Sequence, residues 1–189
     1  MIDDPTDREY PSWLGPLLLR GELPIDDAQV TTMTAFLESH TLHDSSWIGL
    51  WCDPAGHAAT AAFQWDSVWS GIPYSSSWIA NWPILLIVFP RVAHVSFSDK
   101  NERWMNATIA GAETVVLSNE ERGQLLDVLV AFRRLPDSAA AFTLDTGIAR
   151  TFIGGIDGHR LTIVHGEEIR LLCFDRTGER LPIPGLQDR

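Results

Sequence analysis

One short apolar run limits what this chain can fold into: Ile84-Leu85-Leu86-Ile87-Val88-Phe89, closed by Pro90. Six residues are far fewer than the roughly 20 that cross a membrane. They are also fewer than an ordinary globular helix, which runs about 10–14 residues. A short β-branched run of this kind, ended by a breaker, reads as a buried strand.

The rest of the chain is punctuated in the same way. Residues 92–97 alternate like a second strand, and 46–52 (SWIGLWC) like a third. Asp53-Pro54-Ala55-Gly56 follows with turn chemistry: Asp first, Pro second, Gly fourth. Residues 57–65 admit two readings. On a helix, Ala58, Ala61, Ala62, Trp65 and Trp69 would share a face; after a tight turn, the same residues return as a hairpin strand. The hairpin is preferred. Residues 104–109 and 114–117 read as strands turning near Gly111. Farther on, 151–156 and 160–165 flank Asp157-Gly158, a strong hairpin pair. Turns at Gly166-Glu167 and Asp175-Gly178 then lead into 169–174 and 180–183, completing a C-terminal β-meander.

Two helices are expected. The first spans about 26–41, capped by Asp26 or Asp27, with Val30, Met33 and Leu37 on one face. The second spans about 119–134. Ser118-Asn119-Glu120-Glu121 forms a capping box at its start. Leu125, Leu129 and Phe132 form its core face, Arg133 and Arg134 sit at its end, and Pro136 stops it. Residues 1–25 read as an irregular acidic arm docking through Trp13 and Leu17-Leu18-Leu19, and 184–189 as a frayed tail. Helices separated by runs of hairpins predict an α+β fold on a mostly antiparallel sheet. The 189 residues fit one domain.

Charge narrows the function classes. The net charge is −11, and residues 1–45 hold nine acids against two bases. A free nucleic-acid binder needs a basic patch, so direct nucleic-acid binding is disfavoured. An acidic surface suits solubility or a basic protein partner. Thirteen of the fourteen basic residues are Arg, a bias that fits a GC-rich bacterial source. Cys52 and Cys173 are isolated and flanked by apolar residues, so buried free thiols of a reducing compartment are expected. The N-terminal segment lacks the features of a secretory signal. A cytoplasmic location is the expectation, with no cofactor.

Nucleophile-elbow, zinc-protease, P-loop and dinucleotide motifs are all missing. His40 and His43 sit three apart near a helix end, where capping is a simpler role than metal binding. Cys52, Asp53 and His57 cluster across the proposed turn, yet nothing local supplies an oxyanion site. His159 and His165 share one face of a strand, read as a wet sheet face.

Tryptophan is the unusual feature. Six of eight lie between residues 47 and 82, in pairs four apart. Trp47 and Trp51 read as core. Trp65, Trp69, Tyr74, Trp78 and Trp82, interleaved with Ser, Gly and Asn, resemble an adaptable binding loop. These five are the candidate site. The expected function is a non-catalytic protein-binding module, of the immunity or antitoxin type, masking a basic partner enzyme. A small-molecule or carbohydrate binder using residues 65–82 is the first alternative. An enzyme using His57, His159 or His165 is the second.

Overall fold

The computed structural model describes residues 11–20, 22–53, 58–66, 83–98, 108–129, 139–147, 159–183 and 185. In chain order these form α1 (Leu14–Arg20), a one-turn 3-10 helix (Ile25–Asp27), β1 (Gln29–Thr32), α2 (Met33–Ser39), β2 (Ser46–Asp53) and β3 (Ala58–Gln64). There follow β4 (Ile84–Phe89), β5 (Val92–Ser98), β6 (Thr108–Val116), α3 (Asn119–Leu129), β7 (Ala140–Gly147), β8 (His159–His165), β9 (Glu168–Phe174) and β10 (Arg180–Leu181). The fold is α+β, and every registered strand pair is antiparallel. None of the described helices is long and apolar enough to cross a membrane.

The strands follow the path β1-β9-β4-β3-β2-β6-β7-β8-β5, with β10 beside β9. β2 and β6 share one registered pair, Ser46↔Thr108, and the path divides there into two sheets. The sheets meet again through a bent ribbon. β4 continues into β5 across Pro90 and Arg91, and β8 continues into β9 across Gly166 and Glu167. These two long strands pair with each other on both sides of the bend, Val88↔Arg170 before it and Val92↔His165 after it. The Gly166 amide donates to the Arg91 carbonyl at 2.9 Å inside the bend.

Each strand's sequence matches the surfaces it touches. β4 is buried on both faces, which is why its apolar run is continuous. Leu85, Ile87 and Phe89 point between the sheets with Phe142, Leu161 and Ile163. Ile84, Leu86 and Val88 point outward, under Leu14 and Leu18 of α1. In β3 the alanines Ala59 and Ala61 face the inter-sheet core beside Phe63. The hairpin reading of this stretch holds: Trp47↔Phe63 and Cys52↔Ala59 are registered partners. A bulge in β2 sets Trp47 and Gly49 against the consecutive residues Phe63 and Ala62. One extra residue inverts the alternation. Trp47 therefore lies in the inter-sheet core, and Trp51, four residues on, packs on the α1 side.

Several sequence expectations are corrected. The helix expected over 26–41 is a 3-10 turn, strand β1 and the shorter α2. Val30-Thr31-Thr32 is β-branched, and an edge of β9 offers it a ladder, which overrides helical spacing. Val30 is consequently half exposed. Thr32, not Asp26 or Asp27, caps α2 by accepting from the Ala35 amide at 3.1 Å. The N-terminal arm is not irregular over Leu14–Arg20, where Leu14 and Leu18 bury one helical stripe. Its docking through Trp13 does hold: the indole sits 5.2 Å from Phe174 and donates to the Arg176 carbonyl at 2.9 Å. Residues 108–116 form one strand without a turn at Gly111, where a bulge absorbs the irregularity. The C-terminal meander is partial. β9 and β10 pair as a hairpin, whereas β8 and β9 are joined end to end by the bend.

Two local signals hold in detail. At α3, the Ser118 amide donates to Glu121 Oε2 at 2.9 Å and the Glu121 amide to Ser118 Oγ at 3.2 Å. In the β9–β10 turn, Asp175 Oδ1 accepts from the Thr177 hydroxyl, the Thr177 amide and the Glu179 amide. The hydroxyl bond is the chief cause of a carboxyl held below the usual range. Residues 1–10, the turn 54–57, the first strand of the 157–158 hairpin, the expected end of α3 beyond 129, and residues 184 and 186–189 lie outside the described residues. So do the side chains of Leu125 and Leu129.

Gly178 in that turn has φ +92°, and a Cβ there would meet the Trp13 ring at 3.3 Å. Gly178→Ala is expected to lower stability by about 1–2 kcal/mol through the left-handed backbone alone, read as a shifted urea midpoint. Loosening of Trp13 should accompany it as a red shift in tryptophan emission.

Candidate functional site

The connection from β3 to β4 carries most of the candidate aromatic residues, and its two ends are joined. The Trp65 amide donates to the Pro83 carbonyl at 2.8 Å. The residues flanking 67–82 thus lie side by side. β3 brings Trp65 there because positions 59, 61, 63 and 65 alternate inward. Trp65 is fully buried. Its indole Nε1 donates to the Thr41 carbonyl at 2.8 Å, and its ring lies 5.6 Å from His40 and 6.3 Å from Phe36. His40 in turn stacks on Phe36 at 5.3 Å, and its Nδ1 is 2.9 Å from the Ser39 hydroxyl.

A second strand-to-strand crossing meets the same point. The Asp66 amide donates to Ser45 Oγ at 3.0 Å, and the Ser45 carbonyl accepts from the Ile109 amide at 2.8 Å. Asp44, with φ +61°, donates its amide to the Ile109 carbonyl at 3.0 Å. Asp tolerates that left-handed backbone better than most residues. Segments 44–46, 65–66 with 83, and 108–109 therefore form one corner, where the two sheets part. Two stretches of chain begin or end at it: residues 67–82, and residues 99–107 with Trp104.

This corner sorts the candidate residues. Trp65 is not a surface anchor; it is the buried base that holds the connection. Trp69, Tyr74, Trp78 and Trp82 lie outside the described residues, as do His57 and the His159 side chain. The sequence signal for Trp65 was available: Ala59, Ala61, Phe63 and Trp65 alternate as one inner strand face, and the turn before them favoured a strand.

The titratable candidates separate as well. His165 is not on a wet sheet face; it is 1% exposed, with burial pulling its basicity down and the Gly166 carbonyl opposing that. Cys52 is exposed at the end of β2, and its thiol is pushed up by partial desolvation, opposite to what a nucleophile needs. Cys173 is buried, and its thiol is pushed up to about 12 by desolvation. His40 lies in the Phe36–Trp65 cluster while His43 faces Asp44 at 3.1 Å, outside it. Among the described residues no group of three or more His, Cys, Asp or Glu could hold a metal ion.

One cavity of about 430 Å³ lies along the β9 edge, between the start of β1 and the end of β10. Arg180 borders it; its Nη2 donates to the Asp27 carbonyl at 2.7 Å and its guanidinium lies 5.7 Å above the Phe174 ring, while its Nε is buried with no hydrogen-bond partner among the described residues. Comparison with protein-family models, with curated proteins and with solved structures finds no match to this chain.

Two measurements check these placements. Trp65→Ala should cost about 3–5 kcal/mol of stability, the usual range for deleting a buried large aromatic, in urea unfolding. Thiol titration of the native protein should detect Cys52 alone, with Cys173 reacting only after denaturant is added.

Proposed function

We propose that this chain is a non-catalytic protein-binding module of the immunity or antitoxin type, which masks the active cleft of a basic partner enzyme. The observation that carries the reading is the Trp65–Pro83 closure. The residues flanking this Trp- and Tyr-rich stretch are held in a buried, hydrogen-bonded corner, which supports a reading in which a scaffold presents a recognition segment. Trp69, Tyr74, Trp78 and Trp82 would be the anchors, since Trp and Tyr dominate interface hot spots. The excess of acids, net −11, would steer a basic partner toward them. The enzyme alternative is weakened by the burial of His165 and the raised Cys52 thiol. The free thiols and the Arg-rich basic set favour a bacterial cytoplasm as its compartment.

The test is affinity capture from the source cell, followed by titration with the captured protein. A stoichiometric basic partner is expected, with association slowing as salt rises. Trp78→Ala and Trp82→Ala should each weaken binding by more than about 1 kcal/mol while the unfolding midpoint stays put. If both substitutions unfold the protein, these residues are core and the binding assignment fails.

A further inference from the structure

The far end of β4 holds a buried imidazole that the proposed binding function does not use. His165 ends β8 at the bend where the ribbon passes from one sheet to the other. Its side chain is 1% exposed. The ring lies 4.8 Å from Phe89, the last residue of β4. Its ladder partners are Val92 of β5 and Ala140 of β7. A bulge between Val92 and His94 begins at this pair, where an extra residue helps turn the strand. Among the described residues, its ring neighbour Phe89 and both ladder partners are thus apolar.

The hydrogen bonding specifies the ring's state. Nδ1 bonds the Gly166 carbonyl, which can only accept, so Nδ1 carries the proton. Nε2 is then a bare acceptor, and it is buried with no hydrogen-bond partner among the described residues. The neutral ring tolerates this. A protonated ring would hold a second N–H donor and a positive charge with nothing among the described residues to receive either, which is costly in an apolar site.

Among the described residues, no charge offsets that cost. The described residues of β4 and of β7 up to Thr143 contain no charged group. On the β4–β5 link stands Arg91, which is exposed and positive, and on β5 stands His94. On the β8–β9 link and the start of β9 stand Glu167 and Glu168, both exposed, with Glu168 engaged by Arg170 at 2.9 Å. The Gly166 carbonyl alone favours the charged ring, and it already has its proton.

We propose that His165 makes the ribbon bend an acid-sensitive joint: neutral, it wedges the two sheets together, and its protonation opens the bend and uncouples them. The sign follows from linkage. A histidine depressed in the fold takes up its proton on unfolding or opening. Its contribution to stability is complete above the ordinary value of 6.5 and is lost as pH falls from there through the depressed folded value. Within that window each pH unit multiplies the open or unfolded population by up to tenfold.

The chain has six histidines, so the joint is isolated by difference. Urea unfolding of the full chain from pH 8 to pH 5 is compared with His165→Phe, which keeps a ring and removes the titration. The wild type should bind close to one more proton on unfolding than the variant does below pH 6.5. Equal pH slopes overturn the proposal. Should the variant not fold, two measurements on the wild type decide. The His165 ring resonance should stay neutral at pH 6.5; a midpoint at or above 6.5 overturns the joint. Hydrogen exchange at pH 5.5 should deprotect residues 88–95 and 161–168 before β2 and β3. Uniform or unchanged protection overturns it equally.

Discussion

Everything else in this protein hangs on one antiparallel ribbon that belongs to two sheets. Its strands, β4–β5 and β8–β9, keep their pairing through a bend at Pro90-Arg91 and Gly166-Glu167. Without the bend the inner faces of the sheets would not oppose each other. With it, Phe89 of one sheet lies 5.7 Å from Phe142 of the other, and a single apolar core fills the space between. Full burial of each such side chain is worth roughly 1.5–3 kcal/mol. A buried polar ring, His165, stands at this point among apolar side chains.

The same strand connects that bend to the candidate binding corner. β4 begins beside Pro83, where the Trp-rich connection rejoins the fold, and ends at Phe89 against His165. Six residues, buried on both faces, span the distance. The base of the connection inherits that rigidity: Trp65 is tied to Pro83, to the Thr41 carbonyl and to the Phe36–His40 stack. A recognition loop on such a base loses less entropy on binding than one on a mobile base.

Legibility in the sequence followed the range of the interaction. The capping box at Ser118–Glu121, the turn at Asp175–Gly178 and the hairpin around residues 53–58 were readable because their partners lie within a few residues. The β4 run was readable as a buried strand because burial shows in composition. The helix expected over 26–41 was misread because β1 depends on β9, some 140 residues away in sequence. Gly111 looked like a turn and instead follows a bulge at Ala110, since only the register with β7 tells the two apart. Trp65 looked like a loop aromatic because its polar followers masked the inner-face alternation that precedes it.

The amino-acid order by itself determined the α+β class, the antiparallel pairing, the local caps and turns, and a concentration of tryptophan beside an excess of acid. These depend on residue type and spacing, which the chain displays directly. Tertiary structure alone decided that two sheets share one bent ribbon, that a bulge sends Trp47 and Trp51 to opposite faces, and that His165 is interior. Those outcomes depend on which distant strand lies alongside, and a shift of one residue in that register exchanges inside for outside.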